Sequence, residues 1–141
     1  MTKKWLHTVD LDVRDSDLDF MGGVSNARYL EYFSHGSNRM IKMLDYDIQE
    51  LHARGYDCVI VRVEADYKLP LVMGDKIRIC SDLEFKGTLR TIFNQQIVRL
   101  SDGAVAAEAK YIGCVLHIKD GEIVEPQELR TALENYLAKS Q

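Results

Sequence analysis

The stretch Asp17-Leu18-Asp19-Phe20-Met21-Gly22-Gly23-Val24-Ser25-Asn26 puts two carboxylates and a Gly-Gly pair directly before an apolar-faced run, Ala27 to Leu44. A carboxylate can act as nucleophile or general base. Glycines let a backbone come close to a ligand. A helix N-terminus offers N–H groups that have no intrahelical acceptor. Together these groups suit a carbonyl that is attacked on one side and polarised on the other, where negative charge develops. The plainer reading stays open, in which Asp19 is a turn carboxylate that binds nearby backbone N–H groups. Asp17 reads as a turn residue, and the pair lacks a third ligand at a spacing that would make a metal site. Ser25 has no Gly-x-Ser-x-Gly elbow around it and reads as a helix N-cap. His7, His35, His52 and His117 all lie outside this stretch.

A turn of this kind needs a strand to deliver it and a helix to receive it. From Trp5 to Val13, Trp5, Val9, Leu11 and Val13 alternate with Leu6, Thr8, Asp10 and Asp12, which predicts a half-buried strand. The Asp-Ser-Asp-Leu-Asp cluster ends it, because side chains that bind their own backbone favour turns over sheet pairing. Beyond Ser25, steps of about 100° put Arg28, Glu31, His35, Arg39 and Lys42 on one polar stripe, with Leu30, Phe33, Met40, Ile41 and Leu44 opposite. Gly36, within the run, marks a close approach to another element, and Arg28 is spaced to pair with Glu31. Asp47-Ile48-Gln49-Glu50 reads as the capping box of a short second helix that stops at Gly55.

The second half changes period. In Cys58 to Lys68, Val59, Val61, Val63, Ala65 and Tyr67 alternate with polar residues and Ile60, which predicts a strand with one buried face, closed by Pro70. Turns at Gly74-Asp75, Lys86-Gly87 and Ser101-Asp102-Gly103 then separate Lys76–Phe85, Leu89–Leu100 and Val105–Ile118, a run of antiparallel strands. Pro126, at an expected N1 position, opens a short terminal helix with Leu129, Ala132, Leu133, Tyr136 and Leu137 at helical spacing. The order predicts an α+β class: an antiparallel sheet of about five strands with the long helix on one face.

The 141 residues, 46% of them apolar, suffice for one domain over 1–141 with a real core. The balance of 18 basic and 22 acidic residues gives no general attraction for nucleic acid or anionic membrane. Cys58, Cys80 and Cys114 are widely spaced without a CxxC, the pattern of reduced core cysteines in an intracellular protein. No stretch approaches the ~20 apolar residues of a membrane span. Asp10, Asp12, Arg14 and Asp15 interrupt any signal-peptide pattern, so the expected location is the cytoplasm.

The motif Val13-Arg14-x-x-Asp17-x-Asp19-x-x-Gly22-x-Val24-x-Asn26-Ala27-Arg28-Tyr29-Leu30-Glu31-Tyr32-Phe33 resembles the N-terminal signature of the 4-hydroxybenzoyl-CoA thioesterase family. Tyr67-x-x-Pro70 followed by Gly74-Asp75 resembles that family's second landmark. The resemblance implies the hotdog fold, a curled antiparallel sheet wrapped around a central helix, and hydrolysis of an acyl-CoA to the free acid and CoA without a cofactor or metal. It implies that the acid at Asp19 attacks the thioester or activates water, and that the Asn26 amide polarises the carbonyl oxygen. Gly22 and Gly23 would let the backbone approach the substrate, and Tyr29, with Phe20 and Met21, would shape the acyl pocket. Lys86 matches a basic, phosphate-facing position, and Arg90 follows closely. Relatives pair their sheets edge to edge, so a homodimer or homotetramer with an acyl site between subunits is implied.

Two positions depart from the pattern. Gly23 stands where many relatives carry His, and Asn26 stands where other branches do, so the family's acid–His pair is absent here; other branches work with the acid alone, and a catalytic His from elsewhere in the chain stays open. Two other readings follow from that departure: a non-catalytic module for acyl thioesters or acyl carrier protein, and a dehydratase or isomerase, which would call for an Asp/His pair.

Overall fold

In the computed structural model, which describes residues 4–140, the hydrophobic periods translate into the expected element order. Strand β1 (His7–Asp12) alternates half-buried and exposed positions. It is shorter than the expected Trp5–Val13 at both ends. Val13 leaves the ladder and pairs instead with the loop before the next strand: its N–H donates to the Asp75 carbonyl at 2.8 Å, and its carbonyl accepts from Gly74. A single 3-10 turn, Asp15–Asp17, follows. Helix α1 (Asn26–Met43) is capped by Ser25, whose Oγ accepts from the Arg28 N–H at 3.3 Å. Helix α2 (Ile48–Ala53) is capped by the Asp47 carboxylate, which accepts from the Glu50 N–H.

Strands β2 (Tyr56–Tyr67), β3 (Lys76–Lys86), β4 (Arg90–Arg99) and β5 (Val105–His117) form the meander, and helix α3 (Gln127–Lys139) closes the chain. Pro126 is the residue before α3 rather than its first helical residue. A two-residue strand, β6 (Ile123–Val124), had no detectable period and adds to the far end of β5. The sheet therefore has six strands rather than about five, ordered β1-β3-β4-β5-β2 with β6 beside β5, all antiparallel.

Helix α1 lies across one face of this sheet and divides the core in two. Around its first half, Tyr29, Tyr32 and Phe33 pack with Leu71, Ile77, Ile79 and Ile97. Around its second half, Met40, Ile41 and Leu44 pack with Tyr46, Leu51, Leu83, Val115 and Leu129. Gly36 sits between the two clusters. A Cβ there would lie 2.5 Å from Ile79 Cγ2, so the glycine lets helix and sheet approach. Below it the buried Gln95 amide donates to the Phe33 carbonyl at 2.7 Å and to Ser81 Oγ at 2.9 Å, tying the helix backbone to β3 and β4.

Three expectations about packing need correction. Leu30, placed on the apolar side of the helix, is 37% exposed. β2 does not have one buried face: Ile60, Val61, Val63 and Tyr67 are all exposed. A bulge between Ile60 and Arg62 breaks the period, and as an edge strand β2 has a neighbour only on the β5 side. Cys58 is exposed for the same reason, while Cys80 and Cys114 are buried as expected, and all three are free. No described helix is long and apolar enough to cross a membrane.

Candidate active site at the start of the central helix

The Asp19 turn is pinned at both ends. Leu18 and Val24 form an isolated antiparallel bridge. Inside it the Asp19 N–H donates to the Gly23 carbonyl at 2.8 Å, and the Gly22 N–H donates to the Asp19 carbonyl at 3.1 Å. Gly22 has φ +85°, a conformation that a side chain would strain. The Asp19 carboxylate is exposed and accepts from the Met21 N–H at 2.8 Å, an Asx turn that fixes one oxygen. The turn reading of Asp19 is thus realised, and the hydrogen bond uses one carboxylate oxygen of the two.

The loop from Leu69 to Asp75 forms the other wall. The Val24 N–H donates to the Leu71 carbonyl at 2.9 Å, and Gly23 lies against that same carbonyl. Tyr29, one turn into α1, donates its hydroxyl to the Leu69 carbonyl at 3.1 Å, and its ring lies 5.1 Å from that of Tyr67. Burial pushes the Tyr29 hydroxyl above the ordinary tyrosine range, so it stays protonated as a donor. Asn26 is exposed and is the first residue of α1, so no intrahelical carbonyl reaches its N–H. Phe20 and Met21 are 96% and 78% exposed, and Val72 and Met73 on the 69–75 loop are exposed as well.

Asp17 is nearly the opposite of Asp19. It is 1% exposed and accepts from the Tyr32 hydroxyl at 2.8 Å, the Arg14 N–H at 3.1 Å and the Arg14 guanidinium at 3.3 Å, with Arg28 Nε at 3.9 Å. Burial pushes its carboxyl up, but the Tyr32, Arg14 backbone and Arg14 side-chain hydrogen bonds outweigh that and hold it below the usual carboxylate range. Asp17 thus bolts the turn to the helix. The expected Arg28–Glu31 pair forms at 2.6 Å. His35 is exposed farther along α1, and burial together with nearby Arg39 and His35 lowers the pKa of His7. Among the described residues, no cluster of three or more His, Cys, Asp or Glu forms a metal cradle.

Of the residues singled out in the sequence, Asp19, Gly22, Gly23, Asn26 and Tyr29 gather at one end of the sheet. Lys86 and Arg90 do not join them. They are opposite each other across the β3–β4 hairpin. The 11 residues of β3 separate this hairpin from the Asp19 end, roughly 35 Å at ~3.3 Å per residue. Arg90 Nη1 is buried there with no partner, and Arg130 lies over the nearby Phe85 ring at 4.4 Å. Sequence reasoning missed the Tyr32–Asp17 bond and the 69–75 wall. Tyr32 stood in the motif without a sign of its partner, and the wall depends on a nonlocal contact.

Residues 13–133 match the thioesterase-like superfamily. Acyl-acyl carrier protein thioesterase ATL3, chloroplastic, of Arabidopsis thaliana is 28% identical over 131 residues, which cover 93% of this chain and 69% of that protein. Long-chain acyl-CoA thioesterase FadM of Escherichia coli is 29% identical over 125 residues, which cover 88% of this chain and 94% of that one. A 1,4-dihydroxy-2-naphthoyl-CoA thioesterase from Synechocystis superposes with a TM-score of 0.83 over 89% of this chain and 93% of its own, at 17% identity. That last likeness speaks for the fold alone, the hotdog sheet wrapped on its helix. With the match spanning most of its length, the chain belongs to the thioesterase-like superfamily.

Proposed function

We propose that this protein hydrolyses acyl-CoA thioesters, with Asp19 as nucleophile or general base and the Asn26 amide as oxyanion donor, in the manner of the 4-hydroxybenzoyl-CoA thioesterase branch. The observation that carries the proposal is an exposed carboxylate, fixed by one oxygen, on a turn that runs straight into the unpaired amides of α1. In one route water adds its oxygen to the acyl carbon while Asp19 takes its proton, the carbon–sulfur bond breaks, and that proton passes to the departing sulfur so that CoA leaves as the thiol. In the other the Asp19 carboxylate attacks the acyl carbon and expels CoA, which takes a proton from solvent, and water then opens the mixed anhydride to the free acid. The Asn26 N–H and the positive end of the α1 dipole stabilise the oxyanion in both routes. The likeness to FadM supports an acyl-CoA substrate.

The working unit is a homodimer joined along the free edge of β2. Support comes from the exposed Ile60, Val61, Val63 and Tyr67 on a 12-residue edge strand, which would otherwise be an unprotected pairing surface. Antiparallel pairing about a two-fold axis would set the Tyr67 end of one β2 beside the Tyr56 end of the other. That brings the Asp19 turn of one copy to the end of the sheet where the other copy holds Lys86 and Arg90. Those two cations then serve the phosphates of CoA, a role that neither could perform for Asp19 of its own chain.

The likeness to an acyl-acyl carrier protein thioesterase favours a second acyl donor, so the test uses both. Thiol release is measured from short, long and aromatic acyl groups, each offered on CoA and on acyl carrier protein. The expected result is turnover of CoA thioesters. Binding without release of thiol would favour the non-catalytic module, and modification of the acyl chain without thiol would favour a dehydratase or isomerase.

A further inference from the structure

Away from the Asp19 turn, a cavity of about 210 Å³ opens between the second half of α1 and the sheet. Its rim is exposed: Ser34 and Asn38 from α1, Ile48 from α2, and Cys58 and Ile60 from β2. Its interior is buried and mainly apolar, with Ile41, Tyr46, Gly113 and Val115 among the walls. Gly113 lets this wall pack closely, since a Cβ there would come 2.9 Å from Thr91 Oγ1 and 3.0 Å from the Val59 carbonyl oxygen. An apolar space of this kind gives water few partners and favours a hydrocarbon guest.

One wall comes from α3. Leu129, 2% exposed, is the buried residue of that helix and lines the cavity beside Val115 and Tyr46. Its two neighbours in sequence are both tied down. The Glu128 carboxylate accepts two bonds from Arg54 at 2.8 and 2.7 Å. Arg130 donates to the Gly87 carbonyl at 2.6 Å while its guanidinium lies over Phe85. The turn that carries Leu129 is thus held from α2 on one side and from the β3–β4 hairpin on the other.

We infer that this cavity receives the acyl chain of the thioester attacked at the partner's Asp19, and that Leu129 is its end wall and sets the chain length accepted. The inference rests on the thioesterase reading and on pairing along β2, which bring the Asp19 turn of one copy to the β2 rim, Cys58 and Ile60, of the other. The substrate class is a flexible aliphatic acyl group of medium length. A cavity near 150 Å³ holds the six carbons of benzene. In proportion, this one holds a chain segment of roughly eight carbons.

The test compares wild type, Leu129→Ala and Cys58→Phe, each checked for fold by circular dichroism. Binding of free fatty acids of graded length is measured by calorimetry, and kcat/KM is measured over acyl-CoAs of the same lengths. Leu129→Ala should shift both preferences longer, by roughly two carbons, because the truncated side chain leaves space behind it. Cys58→Phe, at an exposed rim position, should shift them shorter, and it decides the matter if Leu129→Ala does not fold. An unchanged length preference in the folded variants overturns the inference, even where hydrolysis is robust. Length-dependent fatty-acid binding that moves as expected, without any thiol release, supports the cavity assignment while the thioesterase reading fails.

Discussion

Asp17 and Asp19 carry the same carboxyl group two residues apart, and their surroundings divide their work. Asp17 is covered by Tyr32 and satisfied by Arg14, whereas Asp19 keeps one oxygen free. Because the native pKa of Asp17 is depressed, its stabilising effect is fully present above the unfolded value near 3.9 and is lost as pH falls through the lower native value. Asp17→Asn should therefore cost about 1–3 kcal/mol at pH 7, where hydrogen bonds to the charged form are lost. The gap from wild type should narrow below about pH 4. Urea unfolding at both pH values checks this, and a gap independent of pH would contradict it. The acidic turn and its glycines were legible in the sequence. Which acid would be covered was less so, since the cover comes from a tyrosine 15 residues away.

The same division holds among the elements. The helices declared themselves because their caps and periods are local: Ser25, Asp47 and the apolar positions of α1 all act within a turn or two. β2 did not, because an alternating pattern becomes a buried face only where neighbouring elements cover it, and an edge strand with a bulge lacks that cover. Gly36 was readable as a close approach, though not its partner Ile79. Alanine at this position would gain about 1 kcal/mol of helix propensity. Its methyl group would meet a β-branched side chain with 0% exposure, and overpacking of that kind typically costs about 1–3 kcal/mol. Gly36→Ala is therefore expected to lower stability by up to about 2 kcal/mol net in urea unfolding. A stabilised variant would show that α1 can lift from β3 without cost.

Across the whole molecule, the residues suited to attack and those suited to bind phosphate lie at opposite ends of one sheet. In the proposed assembly a single copy would hold two half-sites, and antiparallel pairing along β2 would complete both at once. No periodicity within one chain could reveal such an arrangement, because the proposed pairing spans the distance with a second copy. In the proposed dimer, Asp19 is the group that performs thioester hydrolysis. The most direct test of that role is the rate of free-thiol release from the best acyl-CoA by wild type and Asp19→Asn, both purified in the same oligomeric state. Losing the attacking or proton-accepting carboxylate should lower kcat by roughly 10²–10⁴-fold, with KM changed only a few-fold. Equal rates for the two proteins would remove Asp19 from the chemistry.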